Sequence, residues 1–384
     1  MLREQQFLRI PGPSPIPPSV QRTMTQQMIG HRDQDTKDLI HRIKPQLKPV
    51  FGTEEEVMMI AGSGTAALET AVVNTARPGD EVLVIVTGSF GDRFAKICEA
   101  YEMTTHRLDI EWGNGADPKV VKEFLANHSN IKAVFATYCE TSTGVLNPVQ
   151  ELAETVHNHS DALFIVDGVS CLGAVEAEMD AWGIDILVTG SQKAMMLPPG
   201  LAFIAASKRA WDVIENNPHS RFYLDLRKYR DNLANDSTPF TPAVSLLFGL
   251  EEALKGMHEE GLLEVNKRHQ LMMNMIRICF REHDIPLLTT DEAASPTVTA
   301  IKPGDFKPDE LREVLKKDFS LSIAGGQNQL KGKIFRIGHM GYCSPADILQ
   351  TLSLIEIGLY KIGKKIELGK GVQAAQNIYL MEVE

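Results

Sequence analysis

The chain has 384 residues, 43% of them hydrophobic and 23% charged, with a formal net charge of −11. That length holds one large domain and a smaller one, and the apolar share fills a substantial core. Dispersed acidity speaks against nucleic acid and anionic membrane as main partners, and no apolar run approaches the roughly 18 residues that cross a bilayer.

Residues 1–5 turn polar at once, without the basic-then-apolar pattern of a leader, so the expectation is a soluble, cytoplasmic protein. Residues 11–18 read PGPSPIPP. Proline keeps this arm, residues 1–20, extended, and it must lie on its own domain or on a neighbouring subunit. From residue 37 helices and strands alternate. The pattern predicts helix 37–50, strand 57–60, helix 66–76, strand 81–86, helix 90–101 and strand 105–108. It continues with helix 118–127, strand 131–137, helix 149–158, and strands 162–166 and 184–188. Such spacing gives βαβ units and an α/β fold: a mostly parallel, seven-stranded sheet covered by helices on both faces. Strand 201–206 follows a Pro-Gly turn too short for a helix, so it must run antiparallel.

After residue 240 the texture changes. Helices are expected at 243–260 and 263–283, with Met272, Met273 and Met275 as core filling. Strand 297–301, helix 308–319, strands 321–324 and 334–337 and helix 345–361 complete a smaller α+β domain. The large domain is therefore placed at 21–259 and the small one at 260–384. Cys98, Cys139, Cys171, Cys279 and Cys343 are scattered without a CxxC pair, against both a disulfide framework and a zinc site.

In parallel α/β sheets, ligands gather beyond the carboxyl ends of the strands. Gly62-Ser63-Gly64-Thr65 after the first strand opens a helix; it reads as an anion cradle or as a plain N-cap. Phe90, between glycines after the second strand, stacks on a planar ring or belongs to the core. A polar run, Cys139 to Gly144, follows strand 131–137, and Asp167 ends the apolar strand 162–166. Lys193 follows strand 184–188 in GSQKAMMLPPG. A buried lysine has a depressed pKa and can form a Schiff base with an aldehyde. A carboxylate can pair with a protonated pyridine nitrogen and make that ring an electron sink. These are the parts that a pyridoxal 5′-phosphate enzyme needs.

The segments IAGSGTAALE, TSTGVLNP, IVDGVSCLGA, GIDILVTGSQKAMMLPPG, TPFTPAV and FRIGHMG carry a resemblance almost from end to end. The chain resembles the class V, fold-type I pyridoxal phosphate aminotransferases, and within them the alanine–glyoxylate and serine–pyruvate aminotransferase group. The resemblance implies pyridoxal 5′-phosphate as cofactor, Lys193 as the Schiff-base lysine and proton carrier, and Asp167 as the partner of the pyridine nitrogen. It implies a phosphate cradle at Ser63, Gly64 and Thr65, where some relatives have His in place of Thr65. Phe90 takes the place of a ring-stacking aromatic that is often Trp. Thr141 and Gln192 match cofactor-contacting positions. Thr238 and Thr241 match a segment that reaches the phosphate from the other subunit, which implies a homodimer with active sites at its interface. Arg336 matches the arginine that grips the substrate carboxylate, a task suited to a bidentate guanidinium; from the residues alone it reads equally as an ordinary ion pair.

The implied reaction moves an amino group from a small amino acid, alanine or serine, to a 2-oxo acid, glyoxylate or pyruvate. Gly12 in the arm and His31 in segment 28–33 are candidate substrate contacts, and His31 reads equally as a helix-cap residue. Arg32 and Arg93 leave room for a dicarboxylic substrate. The rival readings are a ureidoglycine–glyoxylate aminotransferase, a cysteine desulfurase-like lyase using Cys139 or Cys343, and a non-catalytic hydrogenase-associated subunit. No metal is expected.

Overall fold

The computed structural model describes residues 6–383. The polar start at residues 1–5 lies outside them. In chain order the strands are β1 (Phe7–Arg9), β2 (Met58–Gly62), β3 (Glu81–Val86), β4 (Thr104–Asp109), β5 (Ala133–Thr137), β6 (Cys139–Glu140) and β7 (Val145–Leu146). They continue with β8 (Leu163–Asp167), β9 (Ile186–Gly190), β10 (Gly200–Ala206), β11 (Val298–Ile301), β12 (Leu321–Gly325) and β13 (Phe335–Gly338).

The main sheet has seven strands in the order β2-β10-β9-β8-β5-β3-β4. All neighbours run parallel except at β10, which is antiparallel to both β9 and β2. β5, β8 and β9 are buried along their whole length, as central strands between two helical layers must be, and this explains their unbroken apolar runs. A second sheet, β1-β12-β13-β11, belongs to the C-terminal part. One hydrophobic cluster surrounds the large sheet, reaching Met257 along the chain and including Val298. Another runs from Leu271 to Ala375. Among the described residues no helix is long and apolar enough to cross a membrane.

The arm differs from a uniformly extended segment. Residues 7–9 form β1 and pair parallel with β12, joining the second sheet. Pro18 then opens a short helix, Pro18–Thr23, where proline at the first turn forfeits no hydrogen bond. Between these ends the arm lies on its own chain. Ser14 N–H donates to the Gln192 carbonyl at 3.0 Å, and Ser14 Oγ donates to the Lys193 carbonyl at 2.6 Å. Helices Lys208–Asn216, Leu226–Leu233 and Lys370–Val383 add to those expected.

Candidate active site

Lys193 stands in the turn between β9 and β10. Ser191 braces that turn by donating from Oγ to the Pro198 carbonyl at 2.6 Å and accepting the Leu201 N–H at 3.1 Å. The lysine is 7% exposed, and its Nζ donates to the Pro11 carbonyl at 2.5 Å. Gly12 crosses directly over it with φ +93°, and a Cβ there would lie 2.5 Å from Lys193 Cδ. Only glycine takes that backbone angle freely and leaves room for the lysine stem. Burial lowers the Lys193 pKa to about 8, helped by Arg336 and Arg93, while Cys139 and Asp167 oppose the shift.

Asp167 is the last residue of β8, 4% exposed, and its Oδ1 accepts the Val169 N–H at 2.9 Å. Burial raises its pKa to about 6; the Val169 N–H opposes this, Glu140 adds to it, and Lys193 and Arg93 oppose it. Among the described residues one hydrogen bond serves this carboxylate, so it keeps capacity for a cationic N–H.

At the carboxyl end of β2, Ser63 is the N-cap of the helix Gly64–Thr75, yet its side chain makes no capping hydrogen bond. Its hydroxyl is thus not spent on the helix as the plain N-cap reading requires. Helix amides and an uncommitted hydroxyl suit an anion. A Cβ on Gly64 would meet the Val169 side chain at 3.0 Å, so the backbone here packs against the residue that holds Asp167. Gln192 Oε1 is buried and has no hydrogen-bond partner among the described residues. Such a group wants a donor, and it lies beside this cradle, since a Cβ on Gly190 would meet both Gln192 Oε1 and Gly64 Cα at 3.0 and 3.3 Å.

Phe90, half-buried, sits in the first turn of the helix Ser89–Ala100, with the Arg93 guanidinium 4.7 Å from its ring centroid. Arg93 also donates to Thr65 Oγ1 at 3.3 Å. The Thr141 and Ser170 hydroxyls share a short hydrogen bond. Arg336, on β13 and 5% exposed, donates from Nε and Nη2 to the Gly325 carbonyl and from Nη1 to the Thr141 carbonyl. Among the described residues no carboxylate forms a salt bridge with it, contrary to the ordinary ion-pair reading. Three N–H groups are spent on carbonyls and two remain for an anion. Burial lowers its pKa to about 10, and Glu140 opposes that.

Gly12, Gln192, Lys193, Asp167, Thr141 and Arg336 are therefore linked through direct bonds, close approach or mutual charge effects, and Gly64, Thr65 and Phe90 are tied to them through Val169 and Arg93. Three expected contacts lie elsewhere in this chain. Thr238 Oγ1 donates to the Phe240 carbonyl, and Thr241, the residue after the aromatic Phe240, is exposed. Segment 28–33 packs beside them: Arg32 Nη1 donates to Ser237 Oγ at 3.0 Å and to the Thr238 carbonyl at 2.5 Å. His31 lies half-buried in that segment. Cys139 and Cys343 are both buried, and burial pushes each thiol up to about 11, which is unsuited to a desulfurase nucleophile. Two groups have roles that the residues do not announce. Glu140, within the polar run after β5, is wholly buried, and Arg93, expected only as room for a dicarboxylic substrate, sits against Phe90 and Thr65. Spacing marks neither of them, because their partners lie far away in the chain.

A groove of about 810 Å³ runs past Arg9, Arg268 and Asp347 and does not reach Lys193. Its two arginines are already paired, with Asp347 and Glu260. The chemistry is concentrated at the strand ends instead.

Residues 7–343 match the family described as aminotransferase class-V. A soluble hydrogenase small subunit of Synechococcus sp. is 40% identical, with 98% of this chain and 99% of the relative covered. The serine–glyoxylate aminotransferase of Methylorubrum extorquens is 33% identical over 98% of this chain and 96% of its own. The crystal structure of ureidoglycine–glyoxylate aminotransferase from Bacillus subtilis is 31% identical, covers 99% of both chains and superposes with a TM-score of 0.92.

Proposed function

This chain belongs to the class-V aminotransferases and takes pyridoxal 5′-phosphate as cofactor, and from that premise we propose that it transfers an amino group to glyoxylate with ureidoglycine as donor. The near-complete overlap with the Bacillus ureidoglycine–glyoxylate enzyme is the observation that carries the choice of donor. A second reading, serine or alanine as donor, is favoured by the Methylorubrum relative. Glyoxylate is the acceptor in the names of both relatives. A purely structural role, as the hydrogenase name of the Synechococcus relative would suggest, sits poorly with a buried lysine, aspartate and arginine all intact.

When bound, the cofactor supplies a carbonyl that condenses with amines and a ring that accepts the electron pair released as an amino acid loses its α-proton. The residues divide the remaining work. Arg336 grips the substrate carboxylate with its two free N–H groups and so orients the α-carbon. Lys193, with a pKa near 8, is partly neutral at physiological pH, and its Nζ takes the α-proton. Asp167 holds the proton on the pyridine nitrogen, where a new charge-assisted hydrogen bond would return its raised pKa toward the ordinary range. Phe90 would stack against the ring and shield it from water. The helix amides at Gly64 and Thr65, with the Ser63 hydroxyl, would hold the phosphate.

The proposal includes a cytoplasmic homodimer. The face proposed for contact carries the exposed Thr241, with Thr238 buried behind it and held by Arg32 of segment 28–33, and Phe222, 72% exposed, whose ring lies 5.7 Å from that of Phe240. Met28 on segment 28–33 is 63% exposed. A second copy covering this face would bury those apolar groups and bring the two threonines to its cofactor. The test is a half-reaction screen. Loaded protein is mixed in turn with ureidoglycine, serine, alanine and aspartate, and loss of the yellow form is followed. Fastest conversion by ureidoglycine is expected, and conversion by aspartate alone would sink both readings.

A further inference from the structure

The Glu140 carboxylate is the most deeply buried acidic group of the site, with no exposure at all. Burial raises its pKa, while its hydrogen bonds oppose the shift. A buried carboxylate is tolerated when donors surround it. Oε2 accepts the N–H groups of Phe90 and Gly91, each at 3.0 Å. Oε1 accepts the Ser142 N–H at 3.1 Å and the Ser142 hydroxyl at 2.6 Å. That same hydroxyl accepts the Ser89 N–H at 2.9 Å. The first three amides of the helix Ser89–Ala100 thus end on Glu140 and on Ser142, two residues later. Thr141, between them, offers its carbonyl to Arg336 Nη1 at 2.8 Å. Gly88 completes the fit, since a Cβ there would lie 2.4 Å from Glu140 Cγ.

We propose that Glu140 is a positioning residue, which locks the first helical turn and its Phe90 ring in register with Arg336. The inference rests on the reading of Phe90 as the stacking group and Arg336 as the carboxylate grip. Two adjacent residues fix two walls of one site: Glu140 through its side chain and Thr141 through its backbone. A carboxylate suits this task because both of its oxygens accept, and because an anion is favoured at a helix N-terminus. Glutamine in its place has one accepting oxygen, and its NH₂ would face amide donors.

Glu140→Gln tests the role in the cofactor-free protein first, by hydrogen–deuterium exchange. Peptides covering residues 87–94 should exchange about tenfold faster or more, while those in the helix Leu262–Glu282 stay unchanged, because local opening is set by local bonds. In the loaded protein the visible circular dichroism of the cofactor should weaken. The kcat should fall roughly tenfold with the donor KM held, as expected when a reacting group is misplaced by less than an ångström. Unchanged exchange at 87–94 would overturn the proposal, as would equal acceleration throughout, which marks a merely structural loss. If Glu140→Gln does not fold, Ser142→Ala keeps the charge and must accelerate the same peptides and no others. The exchange result needs no substrate, so a failed donor screen leaves it standing, and a failed exchange result leaves the donor reading intact.

Discussion

Asp167→Asn should make the cofactor-free protein more stable while disabling the enzyme. Burial raises the Asp167 pKa from 3.8 to about 6. At neutral pH the native state therefore holds an ionised carboxylate that it disfavours, at a cost of about 3 kcal/mol. Asparagine keeps the oxygen that accepts the Val169 N–H. Against that gain, which already includes the attraction to Lys193, stands an amide group without a partner, worth ~1–2 kcal/mol. The net expectation is a stabilisation of ~1–2 kcal/mol at pH 7, read from urea unfolding of cofactor-free protein. The sign with pH follows from linkage. The carboxyl's favourable contribution is fully present below its unfolded value of 3.8 and is lost as pH rises through about 6. The advantage of the variant should therefore appear across that window and disappear below it. A variant less stable at pH 7, or an advantage that persists in acid, would refute the reasoning.

Binding of pyridoxal phosphate to cofactor-free protein should accelerate as pH rises through about 8, where Lys193 loses its proton, and a flat profile across that range would count against the depressed pKa. Arg336→Gln should raise the KM for the amino donor by roughly 10- to 100-fold, the value of one or two charge-assisted hydrogen bonds, with kcat far less affected. All five cysteines are buried, and burial raises Cys98 to about 12 and Cys139 and Cys343 to about 11, so none should react with a thiol reagent until the protein is unfolded. Labelling of Cys139 or Cys343 in the native protein would revive the lyase reading.

The architecture is largely legible in the residues because its central strands are strongly marked. β3, Glu81–Val86, and the helices Pro118–Asn127 and Pro345–Lys361 fall at their expected bounds, the helices because proline fixes the first turn. That Asp167 stands at a strand end is legible for the same reason, since it follows an unbroken apolar run, and Lys193 comes five residues after the apolar Ile186-Leu187-Val188. The helices Lys208–Asn216 and Leu226–Leu233 are harder to see, being short and rich in charge, although Ser207 and Asp225 cap them through their side chains. β1 has only three residues and exists by pairing with β12, more than 300 positions away. Glu140 shows the limit most clearly. In the chain it is one member of a polar run, and its meaning comes from amides about fifty residues earlier. Thr238 and Thr241 are a different case, since the groups they are expected to reach belong to a second copy.

The claim on which the rest depends is that Lys193 holds the cofactor, and it can be tested on the protein as isolated. Borohydride reduction fixes pyridoxal phosphate covalently to whichever lysine carries it, and peptide mass mapping then identifies that lysine. The account predicts the added mass on the peptide containing Lys193 and its loss in Lys193→Ala. The added mass on any other lysine, or an unmodified Lys193 in yellow protein, would contradict it.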